Sequence, residues 1–498
     1  MKRGFAIAKI FRLVLLILFI SACSSKEQPK PNIVIVLCDD LGYGDVQSLN
    51  PERGKITTPF IDKLALQGMV FTDAHSGSSV CTPTRYGLLT GRYSWRSRLQ
   101  AYVVSGFDDC LIAPDRPTIA SFLKEQGYLT TIIGKWHLNY NYIDSTGTIL
   151  KKPKDRNIMA PIGSTIADGP LTRGFDSYHG FHHSRHMTAV IDSNKVVEYD
   201  DVINMLPRIK SKSVEYINDR ASDKNGQPFF MYIALNSPHT PHVPSPEWQG
   251  KSGMNTYADF VMQTDATVGD IIDALDRNGL HENTLVIFSS DNGCSGPASN
   301  EYQLQKEFGH YSSAHLRGSK ADIWDGGHRI PFIVRWPGTV EAGSQNNELV
   351  CLTDIFTTCA DILNQPAPEI SCEDSYSFLD ALYGDSLASD RKGIVHHSIS
   401  GHFGYRMGKW KLCLAKGSGG WTSPKEKEIP EGIPVAQLYD LEEDPGETIN
   451  LYESHPHIAE QLLKQLEYEV MNGRSTSGPE SPNDLNNNKI KLWKSGKI

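Results

Sequence analysis

The sequence has no Cys-x-x-Cys pair, and its nine cysteines follow no regular spacing. A zinc knuckle and a dense disulfide framework are therefore excluded as organising devices. Excess positive charge is missing as well, since 49 Lys and Arg stand against 58 Asp and Glu for a net charge of −9. Such a chain has no general attraction for acidic polymers. No nucleic acid is expected among its partners, and an anionic substrate has to be caught by locally placed cations. The apolar run Leu13–Ile20 is too short to span a bilayer comfortably. Hydrophobic residues are plentiful at 39% of 498, enough for one large domain and a smaller one.

Lys2, Arg3, Lys9 and Arg12 precede that short apolar run, which is the pattern of a secretory signal over residues 1–22. It ends in Ile20-Ser21-Ala22-Cys23, which looks like a bacterial lipobox. The expectation is an exported bacterial lipoprotein, periplasmic or outer-membrane anchored, held to the membrane by lipid on Cys23 with residues 23–31 as tether. With Cys23 lipidated and Cys81 set aside for chemistry, seven of the nine cysteines remain. An odd number leaves at least one thiol free even in an oxidising compartment.

Asn32–Leu37 is a continuous β-branched run, the pattern of a strand buried on both faces, and it leads straight into Asp39 and Asp40. Thr57-Thr58-Pro59 opens a helix that Gly68 closes. The alternation repeats. A helix over Thr118–Gln126 precedes the strand Leu129–Ile133, which feeds Gly134-Lys135-Trp136-His137. The strand Phe229–Leu235 ends at Ser237-Pro238-His239. An amphipathic helix with Tyr257, Val261, Val268 and Leu275 on one face precedes Thr284–Phe288 and then Asp291-Asn292-Gly293.

Alternating strands and helices predict an α/β fold with a large, mainly parallel sheet flanked by helices over residues 32–385. Ligands of such sheets bind beyond the carboxyl ends of the strands. Four segments thus deliver Asp39 and Asp40, Lys135 and His137, His239, and Asp291 and Asn292 to one rim. Loops at that edge also carry Lys320 and His328. The segment 139–190, with its histidine-rich piece Phe181–His186, reads as long surface loops. A Ser- and Asp-rich stretch near 374–390 marks a boundary. Beyond it, residues 386–475 suggest a smaller antiparallel sheet with a helix, and 476–498 a loose polar tail.

Cys81-Thr-Pro-Thr-Arg85 continues as Tyr-Gly-Leu-Leu-Thr-Gly-Arg92. A cysteine at a helix start with an arginine one turn on is a candidate nucleophile, because helix amides and the guanidinium favour the thiolate. A lone cysteine is more often a small buried thiol. The string around it, taken with an Asp pair after the first strand, Gly-Lys-Trp-His, Pro-His-Thr-Pro, Asp-Asn-Gly, a lysine ahead of Gly-Gly-His-Arg, and Leu-Tyr-Asp-Leu-x-x-Asp-Pro, separates this chain from that case. Together these motifs resemble the formylglycine-dependent sulfatase family of the alkaline-phosphatase-like fold, on its arylsulfatase and N-acetylgalactosamine-6-sulfatase side, over residues 31–452.

The resemblance implies that a maturase oxidises Cys81 to formylglycine, whose hydrate attacks sulfur to give a sulfated enzyme. It also implies that Asp39, Asp40, Asp291 and Asn292, with the oxygen of matured Cys81, hold one divalent ion. Oxygen ligands suit a hard cation such as Ca2+. Arg85, Lys135 and Lys320 would offset sulfate charge, His239 with Lys320 would protonate the leaving sugar oxygen, and His137 would take the proton that expels sulfate.

His182, His183, Arg185 and His186 either contact the sugar or form a solvated loop. The expected substrate is a sulfated oligosaccharide, attacked from its end at a 6-O-sulfate of galactose or N-acetylgalactosamine. Two other readings stand beside this one: a phosphonate monoester hydrolase or phosphodiesterase of the same fold, and a non-catalytic glycan-binding lipoprotein.

Overall fold

Asn32–Asp39 is second in a run of five parallel strands, paired with Thr284–Ser290 on one side and Phe229–Pro238 on the other. Leu129–Lys135 and Ser177–Phe181 continue the parallel order beyond Phe229–Pro238. All eight residues of Asn32–Asp39 are buried. Ile33, Ile35 and Leu37 enter one core while Val34, Val36 and Cys38 enter another, so alternate side chains serve opposite faces. The computed structural model describes residues 29–155, 157–223, 225–486 and 489–493. The expected signal segment and Cys23 lie outside the described residues. Among those residues no helix is long and apolar enough to cross a membrane.

Shorter strands extend the sheet at both edges to twelve. Most of these outer pairings are antiparallel, so the sheet is parallel at its centre and mixed as a whole. The segment expected as long loops supplies Tyr142–Ile143, Thr165–Ile166, Ser177–Phe181 and the start of Ala189–Asp192. Two-residue strands carry no readable alternation, and Ser-Tyr-His-Gly-Phe is too polar and too glycine-bearing to read as a central strand. Gly134 and Gly180 pair here, and a β-carbon on Gly180 would lie 1.9 Å from the Gly134 carbonyl oxygen. Only glycine allows that approach.

Thr256–Arg277 covers one face of the sheet, burying Phe260, Val268, Ile271 and Leu275 against the Val34 and Val36 side. Cys81–Thr90 covers the other with all ten residues buried, and ends at Gly91 with φ +65°. Tyr86, Leu88 and Leu89 enter the core that holds Ile33 and Ile35.

Ile394–His397, Phe403–Met407, Trp410–Cys413 and Gln437–Asp440 form the expected antiparallel sheet, with Pro456–Asn472 as its helix. Pro31–Ile498 is one compact unit. The seam between the sheets is polar. Lys411 reaches Asp325 at 2.7 Å and Glu447 at 2.8 Å, and His396 stacks on His328 and His75 at 4.2 and 4.9 Å.

The terminal stretch differs from its expected looseness. Asp484 pairs with Arg92 at 3.2 Å, Asn483 donates to the Val470 carbonyl at 2.8 Å, and the Thr476 amide donates to the Glu373 carbonyl at 3.1 Å. Its polar composition, which suggested solvent, supplies partners for buried arginines instead. The eight described cysteines are all free and buried.

Candidate active site

Four parallel strands end at one rim, and the polar residues that follow them meet there. Asp39 is the last residue of its strand; Asp40 follows at φ +69°, in the left-handed region that non-glycine residues seldom adopt. His137 and Ala321, beside Lys135 and Lys320, share that conformation at φ +56° and +80°. Each is held through its amide. Asp40 donates to Asp291 Oδ1 at 3.2 Å, His137 to the His182 carbonyl at 2.7 Å, and Ala321 to the Ser79 carbonyl at 2.8 Å. Strained backbone pinned this way gathers where side chains must be aimed.

Three carboxylates face three cations. Lys135 Nζ lies 2.6 Å from Asp39 Oδ2, Lys320 Nζ 2.6 Å from Asp40 Oδ1, and Arg85 Nη2 2.7 Å from Asp291 Oδ2. All six groups are buried. Burial works against the Asp39 carboxylate, yet Lys135, His239 and Arg85 hold it well below the usual carboxylate range. Burial pushes Asp291 up to about 6, with the Asp39 charge adding to the shift against the pull of Arg85. Burial opposes the Lys320 charge too, but Asp40 more than compensates and raises its pKa.

Cys81 opens the helix that carries Arg85, and it is 3% exposed. Burial raises its thiol pKa, although Lys135 and Lys320 pull the other way. The expected activation of the thiolate by the helix start does not hold, because desolvation outweighs the neighbouring charges. His137 Nε2 lies 3.0 Å from the Val104 carbonyl and so carries the ring proton, which leaves the lone pair on Nδ1. Burial, then Lys135, puts its pKa well below the ordinary histidine value. His239 donates from Nδ1 to the Thr240 carbonyl at 2.6 Å, and its Nε2 sits 3.7 Å from Asp40 Oδ2.

The donor set fits a hard divalent cation. Donor atoms of Asp39, Cys81 and Asp291 lie within 4.8 Å of one another. Asp39 Oδ1 and Asn292 Oδ1 are buried without a hydrogen-bond partner, which is costly unless something else satisfies them. Asn292 is oriented by its Nδ2, which donates to Asp40 Oδ1 at 2.7 Å. Oxygen-rich ligation of this kind favours calcium or magnesium over zinc.

A cavity of about 860 Å3 opens over Cys81, with Asp40, His137, His239 and Lys320 in its wall. Of the four residues expected near substrate, His183 and Arg185 line this cavity, and His182 and His186 do not. The three histidines are buried, so the piece is no solvated loop. His183 is fixed by donating to the Ser105 carbonyl at 3.1 Å and accepting from the Arg185 amide at 3.0 Å, and His182 stands edge-on to Tyr140. Arg185 is exposed, with no ion pair among the described residues.

Three contributors had escaped the sequence reading. Tyr232, inside an apolar strand run, meets Arg85 through its hydroxyl at 3.4 Å, and Tyr102 and Trp421 line the cavity from distant loops. Only the single polar atom in the otherwise apolar run Phe229–Leu235 hinted at the first.

Comparison with known proteins identifies the family. The family model described as Sulfatase matches residues 31–365, and that described as N-sulphoglucosamine sulphohydrolase, C-terminal, matches 319–475. The N-acetylgalactosamine-6-O-sulfatase of Bacteroides thetaiotaomicron is 31% identical over 532 residues, covering 93% of this chain and 98% of that protein. Arylsulfatase A of Bos taurus is 31% identical over 460 residues, covering 88% and 87%. A solved structure concerned with metabolism of multiple glycosaminoglycans by Bacteroides thetaiotaomicron superposes with a TM-score of 0.76 at 28% identity, covering 88% of this chain and 99% of that one.

Proposed function

The chain belongs to the sulfatase family and is a sulfuric ester hydrolase, and from that premise we propose that it removes 6-O-sulfate from a terminal galactose or N-acetylgalactosamine of glycosaminoglycan or mucin fragments. The proposal includes a formylglycine made from Cys81 by a maturase, one calcium ion, export, and a lipid anchor on Cys23. The observation that carries the site chemistry is the charge balance around Cys81. Arg85, Lys135 and Lys320 match Asp39, Asp40 and Asp291 one for one. A divalent ion added to this neutral set would leave a positively charged pocket, the complement of a sulfate ester monoanion and of the sulfate dianion it releases.

Asp39, Asp40, Asp291 and Asn292 would hold the ion beside residue 81. The hydrated aldehyde supplies an oxygen nucleophile and the ion supplies Lewis acidity toward sulfate oxygens. The chain's own groups do the rest. Lys135, Lys320 and Arg85, packed where water is scarce, offset the charge that builds on the sulfate oxygens. His239 has Nδ1 committed to Thr240, so the proton given to the leaving sugar oxygen is the second one, on Nε2 of the imidazolium, a form that burial and Lys320 oppose and that Asp39 and Asp40 favour. His137 is kept neutral by burial, with its lone pair on Nδ1, and serves as the base that takes a proton when sulfate leaves.

Arg85, two lysines and a buried thiol at the helix start favour sulfate ester over phosphate ester only mildly, and the family match carries the rest. His183 and Arg185 supply polar contacts to the sugar. The substrate assignment leans on the similarity to the N-acetylgalactosamine-6-O-sulfatase. It is tested by sulfate release from 6-, 4- and 3-sulfated galacto-configured sugars and from 6-sulfated N-acetylglucosamine. Preference for the last by a large factor would sink the galacto assignment. Cys81→Ala is expected to abolish turnover with the fold retained, and the mass of the residue 81 peptide reports whether the aldehyde forms.

A further inference from the structure

Resting on that reading of a saccharide sulfatase, we propose that Tyr102 and Trp421 form an aromatic subsite that stacks on the second pyranose of an oligosaccharide whose terminal sulfated sugar fills the pocket. Both residues line the cavity over Cys81. They come from loops far apart in sequence, and both are open to solvent, Tyr102 63% and Trp421 41% exposed. Trp95, Trp136 and Trp324 are buried by contrast. Large aromatic faces left in water beside a polar pocket mark a place where a ligand is bound. The cavity, at about 860 Å3, has room for more than one sugar ring.

The backbone that carries the two rings is also held in place. Tyr102 has φ +64°, a conformation that a bulky side chain rarely takes, and its amide donates to the Ile399 carbonyl at 2.7 Å. The Ile399 amide in turn donates to the Ala321 carbonyl at 3.1 Å, and the Ala321 amide to Ser79 at 2.8 Å. Trp421 is tied to the same turn. Its amide donates to Asp322 Oδ1 at 2.9 Å, while Asp322 Oδ2 accepts from Ser319 at 2.9 Å. Asp322 is fully buried. Gly420 sits so near Ala321 that a β-carbon would lie 2.3 Å from its carbonyl oxygen. One short turn, Ser319–Asp322, therefore fixes Lys320 at the sulfate end and both aromatic loops at the other.

The ligand chemistry follows from the rings. A pyranose presents C–H bonds on its faces and hydroxyls around its rim, so an aromatic plane packs against the face while the hydroxyls stay hydrated. Tyr and Trp have only two side-chain torsions each, so on a held backbone they lose little freedom when they do so.

The test compares sulfate release from 6-sulfated N-acetylgalactosamine with release from an oligosaccharide ending in the same sugar, using matured wild type, Trp421→Ala, Tyr102→Ala and Trp421→Phe. The readout is the ratio of kcat/KM on the oligosaccharide to that on the monosaccharide. We expect that ratio to exceed one in wild type and to fall about tenfold in each alanine variant, mainly through KM, with most of it regained in Trp421→Phe. An unchanged ratio in both alanine variants overturns the subsite. If Tyr102→Ala does not fold, Trp421→Ala alone decides. Failure of wild type to desulfate any saccharide would instead overturn the saccharide reading, and the subsite with it.

Discussion

Arg85 gives two hydrogen bonds to a single oxygen of Asp291, Nε at 3.0 Å and Nη2 at 2.7 Å, both to Oδ2. The remaining oxygen accepts the Asp40 amide at 3.2 Å. The guanidinium fork thus orients a carboxylate that in turn steadies the left-handed residue beside Asp39. Lysine offers a point charge without the fork. Arg85→Lys is expected to fold and to lose about 100-fold or more in kcat. Sulfate release alongside an unchanged circular dichroism spectrum checks this; a rate within a few-fold of wild type would remove Arg85 from the account.

Metal binding has a readout that needs no turnover. A ligand that binds only the folded chain stabilises it, so adding calcium to chelated wild type should raise Tm. Asp291→Ala, which removes one anionic ligand, should show a much smaller rise and little activity. A full calcium-dependent shift in Asp291→Ala would place the ion elsewhere.

His239 matters most where the leaving oxygen is a poor leaving group. His239→Asn is expected to lower kcat on sugar sulfates by about 100-fold. An aryl sulfate with an acidic phenol needs little protonation, so its rate should change far less. Equal losses on the two substrate classes would exclude the proton-donor role.

At the seam between the two sheets, burial, then the Lys411 charge, puts the His328 pKa well below the ordinary value of 6.5. The unfolded chain binds a proton near pH 6.5 that folded His328 does not, so its contribution to stability is lost as pH falls below 6.5. His328→Phe keeps a ring against His396 and lacks that titration. Between pH 7 and 5, wild type should therefore lose more stability than the variant. Denaturant midpoints at the two pH values measure it; parallel losses would show that His328 titrates normally.

What the sequence showed of this fold came from burial. Asn32–Asp39, Phe229–Pro238 and Thr284–Ser290 are enclosed on both faces, so their residues had to be apolar in an unbroken run. Their polar ends were legible for the same reason, as Asp39, His239 and Asp291 interrupt those runs. Tyr142–Ile143 and Thr165–Ile166 are held by neighbours rather than by any pattern of their own, and no local signal marks them. His183 and His182 are adjacent in sequence, yet only the first reaches the cavity, because that depends on which way the chain turns after Phe181. Tyr102 and Trp421 meet the pocket through hydrogen bonds to Ile399 and Asp322, contacts between segments that no linear motif links.

The burial of Cys81 also sets an order of events. Its side chain lies in the first turn of a helix with no exposed residue, in the wall of the cavity. A maturase that gripped the backbone around residue 81 would have to pull out a helix whose Tyr86, Leu88 and Leu89 are buried in the core. The oxidation proposed for Cys81 would therefore belong to the unfolded chain, and a molecule that folded first would be closed to it.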